Sequence, residues 1–284
     1  MGILSGLSNM GLGRFEDAEL FGKEEKKPAS ASEKESAAEA RRLSERDFVF
    51  EKSFECPVCY KAFKESKVKT AKARVVKTDK DLRPVYAGID VGKYEVVSCP
   101  FCGYTALDKY FANIAAPQAK LVKEQISRTF RKFSRSTVIS YDEALERYKL
   151  SLANSIVKKG KDSEKAYTCL KMAWVVRGYI ENYDSEAEDY EDKIEELKAD
   201  EEELLHNALE GFISARATES MPIAGMDQIT LDYLLSVLCL NEGRYDDAAK
   251  FIVNVLQSRT ASARLKNNAL DIKAEILEKK KENK

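Results

Sequence analysis

The sequence predicts an α+β chain, mostly α, in which a small β-rich metal-binding unit precedes a helical solenoid or bundle. Three observations predict it. Two Cys-Pro-x-Cys pairs lie in strand-like sequence, at Cys56-Pro57-Val58-Cys59 and Cys99-Pro100-Phe101-Cys102. Apolar residues then recur at helical spacing almost without interruption from residue 138 to the end. Within that stretch Tyr141-Asp142-Glu143-Ala144 is echoed by Tyr245-Asp246-Asp247-Ala248. The expected organisation is a flexible tail and linker over 1–46, a four-cysteine zinc-ribbon-like unit over 47–113, a basic connecting helix over 114–137 and a helical domain over 138–284.

In the tail, Ile3, Leu4, Leu7, Met10 and Leu12 approach helical spacing, but Gly2, Gly6, Gly11 and Gly13 weigh against a stable helix. A floppy end is the plain expectation, a short apolar docking element the sharper one. From Gly22 to Arg46 the composition is Lys, Glu, Ala and Ser with Leu43 as the one large apolar residue, which is linker chemistry.

From Asp47 the pattern turns to strands. Phe48, Phe50 and Phe54 alternate before the first cysteine pair, and Val68, Arg74-Val75-Val76 and Tyr94-Glu95-Val96-Val97 are further candidates. Asp81-Leu82-Arg83-Pro84 and Ala87-Gly88 supply turns. A tight Cys-Pro-x-Cys turn points both sulfurs the same way, so two such knuckles brought face to face offer four thiolates, Cys56, Cys59, Cys99 and Cys102. That donor set suits a structural Zn²⁺ with metal–sulfur distances of about 2.3 Å and leaves no open position for a catalytic water. Iron of the rubredoxin type uses similar knuckles and remains the alternative. A unit this small buries too little to stand alone, so metal binding would supply folding energy. Cys99→Ser is expected to unfold mainly this unit.

Pro117 opens the expected connecting helix, with Val122, Ile126, Phe130 and Phe133 on one stripe and Lys120, Lys123, Arg128, Arg131, Lys132 and Arg135 outside it. Tyr141, Leu145, Tyr148 and Leu152 mark the next helix. Ala166, Leu170 and Trp174 mark another, expected to close near Gly178. A long acidic helix follows from about Glu186, with thirteen acids between 181 and 203 against Lys193 and Lys198, so its outer face must be wet. Residues 227–241 and 245–257 read as an αα-hairpin around Glu242-Gly243-Arg244. The last helix carries Leu265, Ala269, Ile272 and Ile276 and ends on Lys279-Lys280-Lys281, which complements its dipole.

The Tyr-Asp-x-Ala echo is spaced close to three units of about 34 residues, the tetratricopeptide period. In Gly243-x-Tyr245-x-x-Ala248, the glycine permits the turn and the alanine lets two helices approach. The helical half therefore reads as a tetratricopeptide-like solenoid of irregular units, whose concave face suits a protein or peptide partner. Tyr233, Leu234 and Leu238 are the residues expected to line it.

Composition excludes less than it permits. Over 284 residues, 47 Lys+Arg balance 48 Asp+Glu, so net charge names no partner. Cys169 and Cys239 sit alone in helical sequence as small hydrophobes, and reduced thiols suit the cytoplasm. No apolar run approaches the ~18 residues of a membrane span. His206 is the single histidine, and there is no glycine-rich phosphate loop or nucleophile motif, so no catalytic residue is assigned and no enzyme is expected.

The knuckles, the basic stretch 67–77, residues 81–86, the run 94–104 and the hairpin 233–256 together resemble the uncharacterised bacterial proteins grouped as domain of unknown function twenty-two twenty-five, over roughly residues 50 to 275. The resemblance implies cysteine-ligated zinc and a helical repeat domain, with no established activity. Tyr60 departs from the glycine that often follows the second cysteine of a knuckle. The expected function is a non-enzymatic zinc-binding adaptor. The alternative is nucleic-acid binding through the inter-knuckle loop, where Lys61, Lys64, Lys67, Lys69, Lys72, Arg74, Lys77, Lys80 and Arg83 gather near Tyr60, Phe63 and Tyr86.

Overall fold

A short turn of helix, α1 (Glu45–Phe48), leads into the first hairpin of the computed structural model, which describes residues 44–132 and 135–282. The docking element expected at 3–12 lies outside the described residues. Strands β1 (Val49–Glu55) and β2 (Ala62–Val68) pair antiparallel from Val49 opposite Val68 to Glu55 opposite Ala62. β3 (Val75–Thr78) pairs with β4 (Pro84–Tyr86), and β5 (Val96–Ser98) with β6 (Thr105–Leu107). The described strands thus form three separate two-stranded sheets. The first knuckle is the loop of the first hairpin, and the second is the loop of the third.

After β6 come α2 (Asp108–Phe111) and α3 (Ala116–Val122), with Pro117 in the first turn, where its missing N–H costs nothing. The basic helix expected over 117–135 is cut short. α3 passes into a π turn at Lys123–Ser127, and Phe130 then folds back to cover Gly103 of the second knuckle. Arg135 leaves the helix face to pair with Glu65 of β2.

The rest is helical: α4 (Tyr141–Val157), α5 (Asp162–Asn182), α6 (Tyr190–Thr218), α7 (Gln228–Asn241), α8 (Tyr245–Gln257) and α9 (Ala263–Glu282). Ser140 caps α4 by accepting from the Glu143 N–H at 3.1 Å, and Asp227 caps α7 by accepting from the Thr230 N–H at 2.7 Å. The α7–α8 turn falls where Gly243 places it, at φ 71°. α5 does not close at Gly178 but runs on to Asn182. This glycine serves a close approach instead, because a Cβ there would collide with the Asp90 carboxylate. On α6, Ile194 and Leu197 face inward while Glu191, Asp192, Glu195, Glu196 and Glu202 stay wet.

Three apolar clusters run through the chain. One surrounds the cysteines, with Phe63, Val97, Tyr104, Phe111 and Val122. A second joins Phe48, Ile89, Tyr94, Val96 and Leu107 to Ile139, Leu145, Tyr148 and Val175. The third lies among α5 to α9. The boundaries drawn from sequence near 113 and 137 therefore pass through a shared core. Buried charges reinforce the join. Glu65 of β2 receives Arg147 of α4 at 2.8 Å, and Arg147 also reaches Glu143 at 2.6 Å. In the β3–β4 turn, Asp81 accepts from Trp174 Nε1 and pairs with Arg177, both at 2.9 Å.

Candidate metal centre

The two knuckles close by one backbone rule. Cys56 N–H donates to the Lys61 carbonyl at 3.1 Å and Tyr60 N–H to the Cys56 carbonyl at 2.8 Å. Cys99 to Tyr104 at 2.8 Å and Gly103 to Cys99 at 3.1 Å repeat the pattern. Each turn needs a left-handed residue after its second cysteine, and the positions are Tyr60 at φ 61° and Gly103 at φ 74°. Tyr60 stands out in the sequence as the departure at this position, and the backbone bears that out. A side chain in that conformation costs about 1–2 kcal/mol.

The knuckles bring Cys56, Cys59, Cys99 and Cys102 together, with all four sulfurs within 4.8 Å of one another. Cys56 and Cys102 Sγ are 3.5 Å apart, and Cys59 and Cys99 Sγ are 3.6 Å apart. A disulfide would need about 2.05 Å, and all six cysteines are free. The edge of a tetrahedron with 2.3 Å metal–sulfur bonds is about 3.8 Å. The cluster therefore has the size of an S₄ cage and could hold a metal ion. Four thiolates around one ion leave no open coordination position.

Backbone N–H groups support the sulfurs: Val58 and Cys59 donate to Cys56, Phe101 and Cys102 to Cys99, and Tyr104 to Cys102. Hydrogen bonds from Cys102 and Cys56 hold the Cys99 thiol down at about 2. Those that Cys102 gives to Cys56 and Cys99, with burial, push its own thiol up. The four cannot all ionise so close together in a buried site unless a cation sits among them. As four thiolates the set could hold a metal ion.

Around the cage, the Tyr104 ring packs tilted against Phe111 at 5.0 Å between centroids and donates its hydroxyl to the Phe111 carbonyl at 3.1 Å. Asn154 of α4 donates to the Gly103 carbonyl at 3.0 Å and fixes the second knuckle against the helix. Sequence reasoning does not single out Asn154. Its signal is a polar residue on the inward stripe of α4, where only a bonded amide is tolerated.

Other expected residues fall elsewhere. Cys169 and Cys239 are buried, and desolvation pushes both thiols up to about 11. His206 lies on the surface of α6 with Nδ1 3.0 Å from Glu242. Tyr233, Leu234 and Leu238 are buried inside the third cluster and line no open face, because α7 is enclosed by its neighbours. The basic inter-knuckle loop is largely spent within the molecule. Lys64 pairs with Glu51, Lys67 with Asp108, Lys77 with Asp79, Lys80 with Glu275 and Arg83 with Glu181.

The family model described as "Uncharacterized protein conserved in bacteria (DUF2225)" matches residues 49–276, a span that includes all four clustered cysteines. No curated protein and no solved structure matches the chain. Among the described residues no helix is long and apolar enough to cross a membrane.

Proposed function

The chain belongs to this bacterial family, and on that footing we propose that it is a non-enzymatic zinc protein whose helices dock a partner polypeptide. Zinc fits an all-thiolate, closed, redox-silent cage better than a metal with open coordination. Elemental analysis of purified protein should find about one zinc per chain. Iron in its place, or four titratable thiols with no metal, would overturn this half of the proposal.

The docking half rests on one observation. α4 and α6 flank a cleft of about 610 Å³ floored by α5. Leu152, Ala166, Cys169, Met172 and Leu204 give it an apolar floor, and Gly211 lets α6 press close to Ala166. Ile156 stands at its mouth 68% exposed. Asp200 and Glu203 on the rim make no ion pair among the described residues. Lys149 and Lys165 also line the cleft, but Asp162, Asp200, Glu203 and Glu210 leave it net acidic, and an apolar floor under an acidic rim suits a basic amphipathic segment of a partner. Tetratricopeptide-like pairing is consistent with the α7–α8 hairpin and with Ala144 and Ala248, both fully buried at the two motif copies.

A photo-crosslinking residue at position 156, with one at the exposed Leu277 as control, tests the cleft. One defined polypeptide should attach at 156 and not at 277, and Asp200→Lys with Glu203→Lys should abolish it. Equal labelling at both positions, or labelling indifferent to the charge reversal, refutes the docking site.

A further inference from the structure

The metal cage does not account for what the knuckle tips show to solvent. Gly103 meets the left-handed backbone requirement with the residue that suits it, and a Cβ there would lie 2.5 Å from the Phe130 ring. Tyr60 meets the same requirement with a large side chain, at a cost that packing does not offset, since it is 70% exposed. A strained residue left this exposed, with a single cation over its ring and no burial to offset the strain, points to a role outside the fold.

Phe101, on the tip of the other knuckle, is also exposed, at 42%. Cations surround both rings. Lys123 Nζ lies 5.4 Å from the Tyr60 centroid, and Lys61 and Lys132 lie 5.0 and 5.6 Å from that of Phe101. The segment that covers the knuckles adds exposed Arg128 and Arg131. None of these five cations forms an ion pair among the described residues. The one acid between 120 and 132 is Glu124, 3.9 Å from Lys120. This is the reverse of the inter-knuckle loop, whose basic residues are mostly paired.

We infer that this face, Tyr60 and Phe101 with Lys61, Lys123 and Lys132 over the rings and exposed Arg128 and Arg131 on the same covering segment, binds single-stranded nucleic acid. Two exposed rings stack on bases, every one of which has a π-face, while unpaired cations follow the phosphates. A duplex would hide its bases from the rings and engage the cations alone. An acidic protein surface would likewise leave the rings idle. The inference goes beyond the docking cleft and does not depend on it.

The test uses full-length, metal-loaded protein and fluorescein-labelled oligo(dT) or oligo(U) of about 20 nucleotides, read by anisotropy. Binding should be saturable at ~50 mM salt, and log K should fall with log salt at about −0.7 per phosphate engaged. Tyr60→Gly and Phe101→Ala should each weaken binding about tenfold. Lys123→Ala with Lys132→Ala should also make the salt slope shallower. Tyr60→Gly is the decisive variant. Glycine suits the backbone at that position, so lost affinity with retained metal and an unchanged or higher melting temperature cannot be a folding defect. No binding at ~50 mM salt, binding indifferent to both ring variants, or binding to phosphatidylglycerol vesicles but not to oligonucleotide would each overturn the inference.

Discussion

The two knuckles share a sequence pattern, a backbone closure and a cage, and differ in everything around them. The first closes a hairpin of two seven-residue strands, with Val58 buried and Tyr60 in water. The second, on strands of three residues, is clasped by Asn154, Tyr104 and Phe130. One metal would thus join a turn whose left-handed residue, Tyr60, lies in water to a turn whose left-handed residue, Gly103, is covered. Folding stability is concentrated on the second turn, which leaves the first free to carry a costly side chain. Substitutions at the ligands, at the join and at the two tips test that asymmetry.

The largest effect should come from the ligands. Cys99→Ser and Cys59→Ser should both abolish stoichiometric metal, in a site class whose apparent binding energy runs to about 10–16 kcal/mol. Cys99→Ser should do the greater damage, because its turn also covers α4. The sequence suggests that such a variant would lose mainly the ribbon, whereas the shared core predicts that helical circular dichroism falls as well. Equal melting curves for the two variants would dissolve the distinction between knuckles.

Next comes the join itself. Glu65→Gln leaves Arg147 buried with part of its compensation removed, since the two side chains are 2% and 1% exposed. Breaking such a pair costs about 3–5 kcal/mol, to be measured by urea unfolding. A loss below about 1 kcal/mol would mean that the partners left to Arg147, Glu143 among them, satisfy it without Glu65.

Gly103→Ala should cost about 2–4 kcal/mol, combining a left-handed backbone penalty with a clash against Phe130. The smallest effect has the opposite sign. Tyr60→Gly should stabilise by about 1 kcal/mol, seen as a rise of roughly 2–4 °C in melting temperature. If glycine destabilised position 60, Tyr60 would be a packing residue and the contrast between the tips would fail.

What the sequence makes legible is whatever a few neighbouring residues decide. Cys-Pro-x-Cys dictates its own turn, so the four clustered sulfurs follow from motif and spacing alone. Gly243 with its flanking apolar runs places the α7–α8 hairpin, and the acid-rich α6 announces its wet face. Most of the failures require a distant partner. Gly178 looks like a helix stop until Asp90 is placed against it. The loop lysines look free until Glu51, Asp108 and Glu275 arrive to neutralise them. Tyr233, Leu234 and Leu238 look like a groove because periodicity marks an apolar stripe without saying how many neighbours enclose it. The strand-like run at 94–97 is cut into by a 3₁₀ turn over Val91–Tyr94, because Asp90 captures the Gly92 N–H at 2.9 Å.

The clasp by Asn154 also has a consequence for the newborn chain. Asn154 lies 51 residues beyond the carbonyl it holds. At about 5–20 residues per second of synthesis, the four thiols are translated roughly 3–10 s before the helix that seals the second turn. For that interval the second turn lacks the hydrogen bond that ties it to the helix. Until α4 arrives, the second turn must hold its shape through its own backbone closure, Cys99 N–H to Tyr104 and Gly103 N–H to Cys99.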